Sequence, residues 1–87
     1  MRIEIDNGAI MIGERLKEMR QQKKLTQKQV QELTQIDQSD ISKFEIGKRK
    51  PSLQQLAKLA RLYETSMDYL TGETDVKTPY PPAKPVE

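Results

Sequence analysis

Apolar residues recur at helical spacing through the middle of the chain. Ile12, Leu16 and Met19 fall at i, i+4 and i+7, which predicts one face of a first helix running to about Lys23. Leu25 reads as a buried connector. Thr26 and Gln29 have the spacing of a capping box that opens a second helix over about 27–34, with Val30 and Leu33 inward and Ile36 closing it. Asp37 opens a third helix over about 38–46, with Ile41, Phe44 and Glu45 on one side and Gly47 as a left-handed cap. Pro51 keeps Lys50 out of helix, and Ser52 with Gln55 forms another capping box. The fourth helix that follows carries Leu53, Leu56, Leu59, Ala60 and Tyr63 as its apolar residues. Ser66 caps a short fifth helix containing Met67, Tyr69 and Leu70, and Gly72 stops it. Nothing between residues 12 and 72 asks for a strand, so the expected fold is an all-α domain of five helices.

The two ends read differently. RIEID alternates Ile3 and Ile5 with charges and is followed by the turn signal DNG. Residues 1–11 are therefore expected to be a flexible leader, or a short strand pairing with a symmetry mate. Four of the five prolines fall after residue 73 without helical period, so residues 73–87 are expected to form a disordered, Pro-rich, partly polyproline-like tail. The domain itself is expected to occupy residues 12–72.

Charge sharpens this division. Residues 12–61 hold 12 Lys/Arg against 6 Asp/Glu, residues 62–87 hold 2 against 5, and residues 1–11 hold 1 against 2, giving +6, −3 and −1 and the +2 of the whole chain. A basic body with an acidic end suggests one surface that faces a polyanion and another that faces something else; ordinary solvated Lys-rich faces are the bland alternative. With 87 residues and no Cys, the domain has neither disulfides nor thiolate metal sites to support its small core. The absence of His removes the commonest general base and metal ligand. Glycines at 8, 13, 47 and 72 are scattered rather than gathered into a phosphate loop, and helix capping accounts for both Asp37 and Asp40. Catalysis, cofactors and metals are not expected. No apolar run approaches the roughly 20 residues of a membrane span, and charges stand where a signal peptide would be apolar, so the expectation is a cytoplasmic protein without a membrane partner.

The second and third helices carry the most information. Their connection, Gln35-Ile36-Asp37, is short enough for a helix-turn-helix, in which the second helix of the pair lies in the major groove of DNA. Stepping about 100° per residue from Ile41 puts Phe44 and Glu45 at about −60° and +40° on the inner side. Ser39, Ser42, Lys43 and Ile46 then lie between about 100° and 200°, facing outward. Gln38 stands at the N-terminal tip. An amide, hydroxyls and an ammonium are the groups that read base edges, although an exposed polar helix face is common in any protein.

The run from Leu25 to Glu73 resembles the Xre/Cro/CI-like helix-turn-helix family of phage and bacterial regulators. The likeness covers about residues 12–72. It rests on LTQ at 25–27, the QSDISKFEIGKRKPS run at 38–52 and SMDYLTG at 66–72. It implies a compact five-helix, lambda-repressor-like domain that binds double-stranded operator DNA, usually as a homodimer. Position by position, it implies that Gln27 touches a phosphate and supports Gln38. Gln38 and Ser39 match the principal base-reading positions, and Ser42 and Lys43 match further groove positions. Lys48, Arg49 and Lys50 match a phosphate-gripping loop, and Lys28, next to Gln27, is a further candidate for phosphate. Arg20 and Glu45 match a structural ion pair joining the first helix to the end of the third.

Two positions depart from the family. Gln31 stands where a small residue is frequent, and Gln35 stands where the turn usually has Gly, so a positive φ there would carry strain. Asp40 is expected to flank the reading face, repelling a wrong backbone approach or accepting from a cytosine N4. Leu62, Tyr63, Met67, Tyr69 and Leu70 are candidates either for a dimer contact or for completing the core. The function expected is a sequence-specific regulator, a repressor rather than an activator, on a near-palindromic operator. The alternative is an antitoxin-type module of the same fold, holding a protein partner through residues 73–87 or the N-terminal leader. A coactivator without sequence preference is a third reading.

Overall fold

Among the described residues, Thr26, Asp37, Ser52 and Ser66 each start a helix with a side chain that takes a backbone N–H left unpaired by helix geometry. The computed structural model describes residues 7–79, which form α1 (Asn7–Gln22), α2 (Gln27–Thr34), α3 (Gln38–Glu45), α4 (Leu53–Leu62) and α5 (Met67–Thr71). At α2, Thr26 Oγ1 accepts from Gln29 N at 3.1 Å while Thr26 N donates to Gln29 Oε1 at 2.8 Å. Ser52 and Gln55 repeat this reciprocal arrangement at α4, with the same two distances. Ser66 Oγ accepts from Tyr69 N at 2.9 Å to start α5. No strand occurs among the described residues. No described helix is long and apolar enough to cross a membrane.

Leu16, Met19, Val30, Ile36, Ile41, Phe44, Leu56, Leu59, Ala60, Tyr63, Tyr69 and Leu70 form the core. Ile12 and Leu25 pack against it partly buried, whereas two residues expected in the core are exposed. Leu33 is 61% exposed and Leu53 74% exposed. In α2 the inward place beside Val30 goes to Thr34, whose hydroxyl donates to Val30 O at 2.7 Å and accepts from Ile36 N at 3.2 Å. Leu53 is the first residue of α4, a turn short of the point where that helix reaches the core at Leu56. Tyr63, Tyr69 and Leu70 are buried within the monomer and so belong to the core rather than to a dimer contact; Leu62 and Met67 pack on it only partly buried.

The first helix begins earlier than its periodicity predicts. Residues 7–11 are its first turns rather than part of a leader or a DNG turn, and the strand expected at RIEID lies outside the described residues. Small residues explain the extension. Ala9 and Gly13 are buried one turn apart, and a Cβ on Gly13 would stand 2.3 Å from the carbonyl oxygen of Phe44 and 2.7 Å from that of Glu45. The backbone of α1 thus lies directly against the C-terminal carbonyls of α3, an approach only glycine permits.

The acidic end is also more organised than expected. Arg15 stacks 4.2 Å over the Tyr69 ring and donates to Tyr69 O at 2.5 Å, Thr74 O at 2.7 Å and Asp75 Oδ1 at 2.5 Å. Glu18 accepts from the Tyr69 hydroxyl and pairs with Lys77 at 3.5 Å; the tyrosine's hydrogen bond holds the Glu18 carboxyl below its usual range. Thr65 Oγ1 donates to Lys77 O at 2.6 Å. The segment is therefore tethered to the domain at Thr74 and Asp75 by Arg15 and at Lys77 by Thr65 and Glu18, while residues 80–87 lie outside the described part.

Three helices end on a left-handed residue that is not glycine: Lys24, Gln35 and Glu64 have φ of 57°, 64° and 54°. Such a conformation costs on the order of 1 kcal/mol for a residue with a Cβ. Gln35→Gly is therefore expected to raise stability by about 1 kcal/mol in urea denaturation, with the turn hydrogen bond retained. Gly13→Ala is expected to lower it by roughly 1–3 kcal/mol in the same measurement, because rigid backbone must give way.

Candidate nucleic-acid interface

The face of α3 that points away from the core is set by the face that points into it. Ile41, Phe44 and Glu45 are buried. Gln38, Ser39, Lys43 and Ile46 are exposed and Ser42 is half-buried on the other side, as the helical wheel predicts. Asp37 caps the helix, accepting from Ser39 N at 3.4 Å. Its backbone carbonyl takes Asp40 N and Ile41 N, each at 3.0 Å. Gly47, at φ 80°, turns the chain out of α3 into the loop of Lys48, Arg49 and Lys50, all exposed.

The C-terminal end of α3 is fastened by charge. Arg20 Nε donates to Glu45 Oε2 at 2.7 Å and Nη2 to Oε1 at 2.9 Å, while Nη1 donates to Leu25 O at 2.9 Å. The Glu45 side chain is 3% exposed and that of Arg20 14%. The hydrogen bond with Glu45 raises the Arg20 pKa above its ordinary value, against the opposing effect of burial. Tyr63 is pushed up by burial and then by the neighbouring Glu45 carboxylate, so it remains a neutral phenol. The ion pair expected between Arg20 and Glu45 is present, bidentate and shielded.

Gln27 takes a different partner from the one the resemblance implies. Its Nε2 donates to Glu45 Oε1 at 3.1 Å, because a shielded carboxylate is a stronger acceptor than a neighbouring amide. Support for Gln38 comes instead from Gln31, whose Oε1 accepts from Gln38 N at 2.6 Å. In the sequence Gln31 stands out only as a departure from the family, since a contact across a turn leaves no periodic signal. Asp40 is likewise engaged: Arg49 Nη1 donates to its Oδ1 at 3.0 Å, tying the basic loop to the first turn of α3. Nothing in the spacing of these two residues announces the pair; Gly47 brings them together by reversing the chain. Lys28 is exposed at the N-terminal end of α2.

The arrangement is a helix presenting an amide, two hydroxyls and an ammonium, flanked by clustered cations. No group of three or more His, Cys, Asp or Glu converges among the described residues in a way that could hold a metal. A helix-turn-helix family profile matches residues 16–70. The HTH-type transcriptional regulator YobD of Bacillus subtilis is 41% identical over 69 residues, which are 79% of this chain and 62% of that protein. The chain spans between 51% and 66% of the length of the first curated relatives it matches. The crystal structure of the restriction-modification controller protein C.AhdI from Aeromonas hydrophila superposes with a TM-score of 0.67 at 32% identity, over 71% of this chain and 94% of that one. The DNA-binding domain of BldD from S. venezulae gives 0.67 at 28% identity, over 76% and 99%. These proteins are named as a regulator, a controller and a DNA-binding domain, none as an enzyme. The chain belongs to the Xre/Cro/CI-like helix-turn-helix family of transcriptional regulators.

Proposed function

We propose that this domain is a cytoplasmic repressor that binds a near-palindromic operator as a homodimer, with α3 of each protomer in the major groove. The observation that carries the proposal is the two-sidedness of α3. Its inner face is locked in the core, while its outer face offers Gln38, Ser39, Ser42 and Lys43 to a ligand. Gln38 suits the N6/N7 edge of adenine and Lys43 the O6/N7 edge of guanine. Ile46, exposed beside them, suits a thymine methyl or the sugar backbone. Lys28, Lys48, Arg49 and Lys50 supply phosphate contacts, which set register without reading sequence. Gln27 keeps a second amide hydrogen for a phosphate beyond the one given to Glu45.

The proposal of a dimer follows from size. A recognition helix of 8 residues reaches few base pairs, so useful selectivity needs two of them. A twofold pair spaces its half-sites by about 34 Å, one turn of DNA. Leu62 and Met67, only partly buried, are the candidate contacts that the core leaves over. A dimer lying over an operator occludes polymerase without any further part, which favours repression. The names of the DNA-binding domain of BldD and of the controller protein C.AhdI fit DNA binding and control.

Selection of bound sequences from a random duplex pool tests this reading. The expected product is a two-part site with half-sites one DNA turn apart; a flat selection would overturn sequence-specific binding. Gln38→Ala is expected to weaken the selected site by roughly 1–3 kcal/mol and to relax one base position in each half-site. Arg49→Ala is expected to weaken all sequences alike and to reduce the slope of log K against log salt by about 1, read from binding titrations at several salt concentrations.

A further inference from the structure

We infer that Gln31 is a positioning residue of the reading helix, acting through Gln38 to set base selectivity; this rests on the operator-binding reading above. Gln31 supplies an acceptor at each end of the helix-turn-helix turn. Its backbone carbonyl takes Gln35 N at 2.8 Å, the first N–H of the turn, and its side-chain carbonyl takes Gln38 N at 2.6 Å, the first N–H of α3. The turn is held at its beginning and its end by one residue.

Among the described residues no other acceptor performs the second task. The Asp37 carboxylate goes to Ser39 N, and the Asp37 carbonyl to Asp40 N and Ile41 N. Gln38 N is the amide of the α3 N-terminus that the cap itself does not reach, and it belongs to the residue whose side chain meets a base edge. In free protein, water could satisfy this exposed N–H. Against DNA the site is dehydrated, an unpaired donor becomes costly, and a water would not fix the Cα of Gln38 as a covalently anchored amide does. A bidentate contact to a base tolerates little displacement, so a loosened Gln38 loses discrimination before it loses affinity.

Gln31 also has a counterpart. Gln27, one helical turn before it on α2, donates to Glu45 at the other end of α3. Two amides on one face of α2 thus hold the last and first residues of the reading helix. Gln27 works through a buried carboxylate and is inseparable from the fold. Gln31 is half-buried and is not part of the core, and its side-chain carbonyl takes the first N–H of the reading helix.

The test compares the full chain with Gln31→Met, which keeps length and removes the acceptor, and Gln31→Glu, which keeps an acceptor. Each is made with and without Gln38→Ala. The readout is the affinity ratio between the selected duplex and duplexes changed at single base pairs. Gln31→Met is expected to lower the ratio about 3- to 10-fold at the base pair relaxed by Gln38→Ala, the range of one net hydrogen bond, and to leave other base pairs unchanged. That loss should vanish in the Gln38→Ala background. Gln31→Glu should restore the ratio while weakening all duplexes together, since it adds a negative charge. An unchanged ratio in Gln31→Met, a loss spread evenly over all base pairs, or the same loss without Gln38 would overturn the inference. If Gln38→Ala relaxes no base pair, the placement of α3 falls and the role of Gln31 falls with it. If Gln38→Ala behaves as expected and Gln31→Met does not, only the positioning role fails.

Discussion

Arg20 and Glu45 make the bond on which the arrangement of this domain depends. Glu45 is the last residue of α3, and its carboxylate is almost wholly withdrawn from water. Such a charge is tolerable only when its lone pairs are occupied, and removing one partner of a shielded pair costs roughly 3–5 kcal/mol. Arg20 from α1 fills two positions and Gln27 from α2 another, while the remaining arm of Arg20 holds Leu25 O in the connector between these helices. One residue of α3 therefore specifies the position of α1, of α2 and of the segment that joins them. The close approach this demands explains Gly13, which leaves α1 without a side chain where the carbonyls of Phe44 and Glu45 pass. A well-packed apolar substitute could equal the pair in stability. It would not fix the direction of α3 in the same way, because hydrogen bonds have directions and hydrophobic contacts do not.

What could be read from the amino-acid order follows the range over which each signal acts. The helices from α2 to α5 were legible because caps and apolar spacing are local: Thr26 with Gln29, Ser52 with Gln55, Ser66 and Gly72 each act within one turn. The two sides of α3 were legible for the same reason. The start of α1 was not, because Gly8 and Gly13 weaken a helix locally, and the reason for Gly13 lies in the end of α3. Leu33 misled because apolar character alone does not decide burial; the hydroxyl of Thr34 could satisfy itself on Val30 and Ile36 and so take the inner place. The segment after Gly72 looked like an untethered tail since composition reports what a sequence does without partners. Arg15, about sixty residues earlier, supplies one.

At the candidate site, the order of residues identified which side chains face outward and left the wiring open. The polar set of Gln38, Ser39, Ser42 and Lys43 followed from the wheel, and the basic loop from its residues. The bonds of Gln27, Gln31 and Asp40 did not, since each crosses a turn whose path is decided by backbone geometry at Gln35 and Gly47. Both departures from the family meet at this turn. Gln35 bears a left-handed conformation that Gly would adopt without strain, and Gln31 places its carbonyl where a small residue has nothing to offer. The turn thus has a left-handed residue at its start and a side-chain hydrogen bond at its finish.

The acid among these bases has a physical role on the operator-binding reading. Asp40 lies in the first turn of α3, where the helix dipole favours it, and it holds Arg49 near the reading face in the absence of DNA. Both side chains are partly exposed, so the pair is worth at most about 1 kcal/mol and is weakened further by salt. Exchanging the carboxylate for a phosphate therefore carries a small penalty, and the guanidinium starts the exchange already located beside the groove. The carboxylate would then stay at the edge of the contact, where it would repel a phosphate backbone that came too close to α3. On that reading, an incorrectly docked duplex would meet that repulsion without compensating base contacts, whereas a correctly docked one would place its phosphates on the loop. Basic residues alone would bind any DNA; a carboxylate set three residues into the reading helix makes the attraction depend on how the helix is seated.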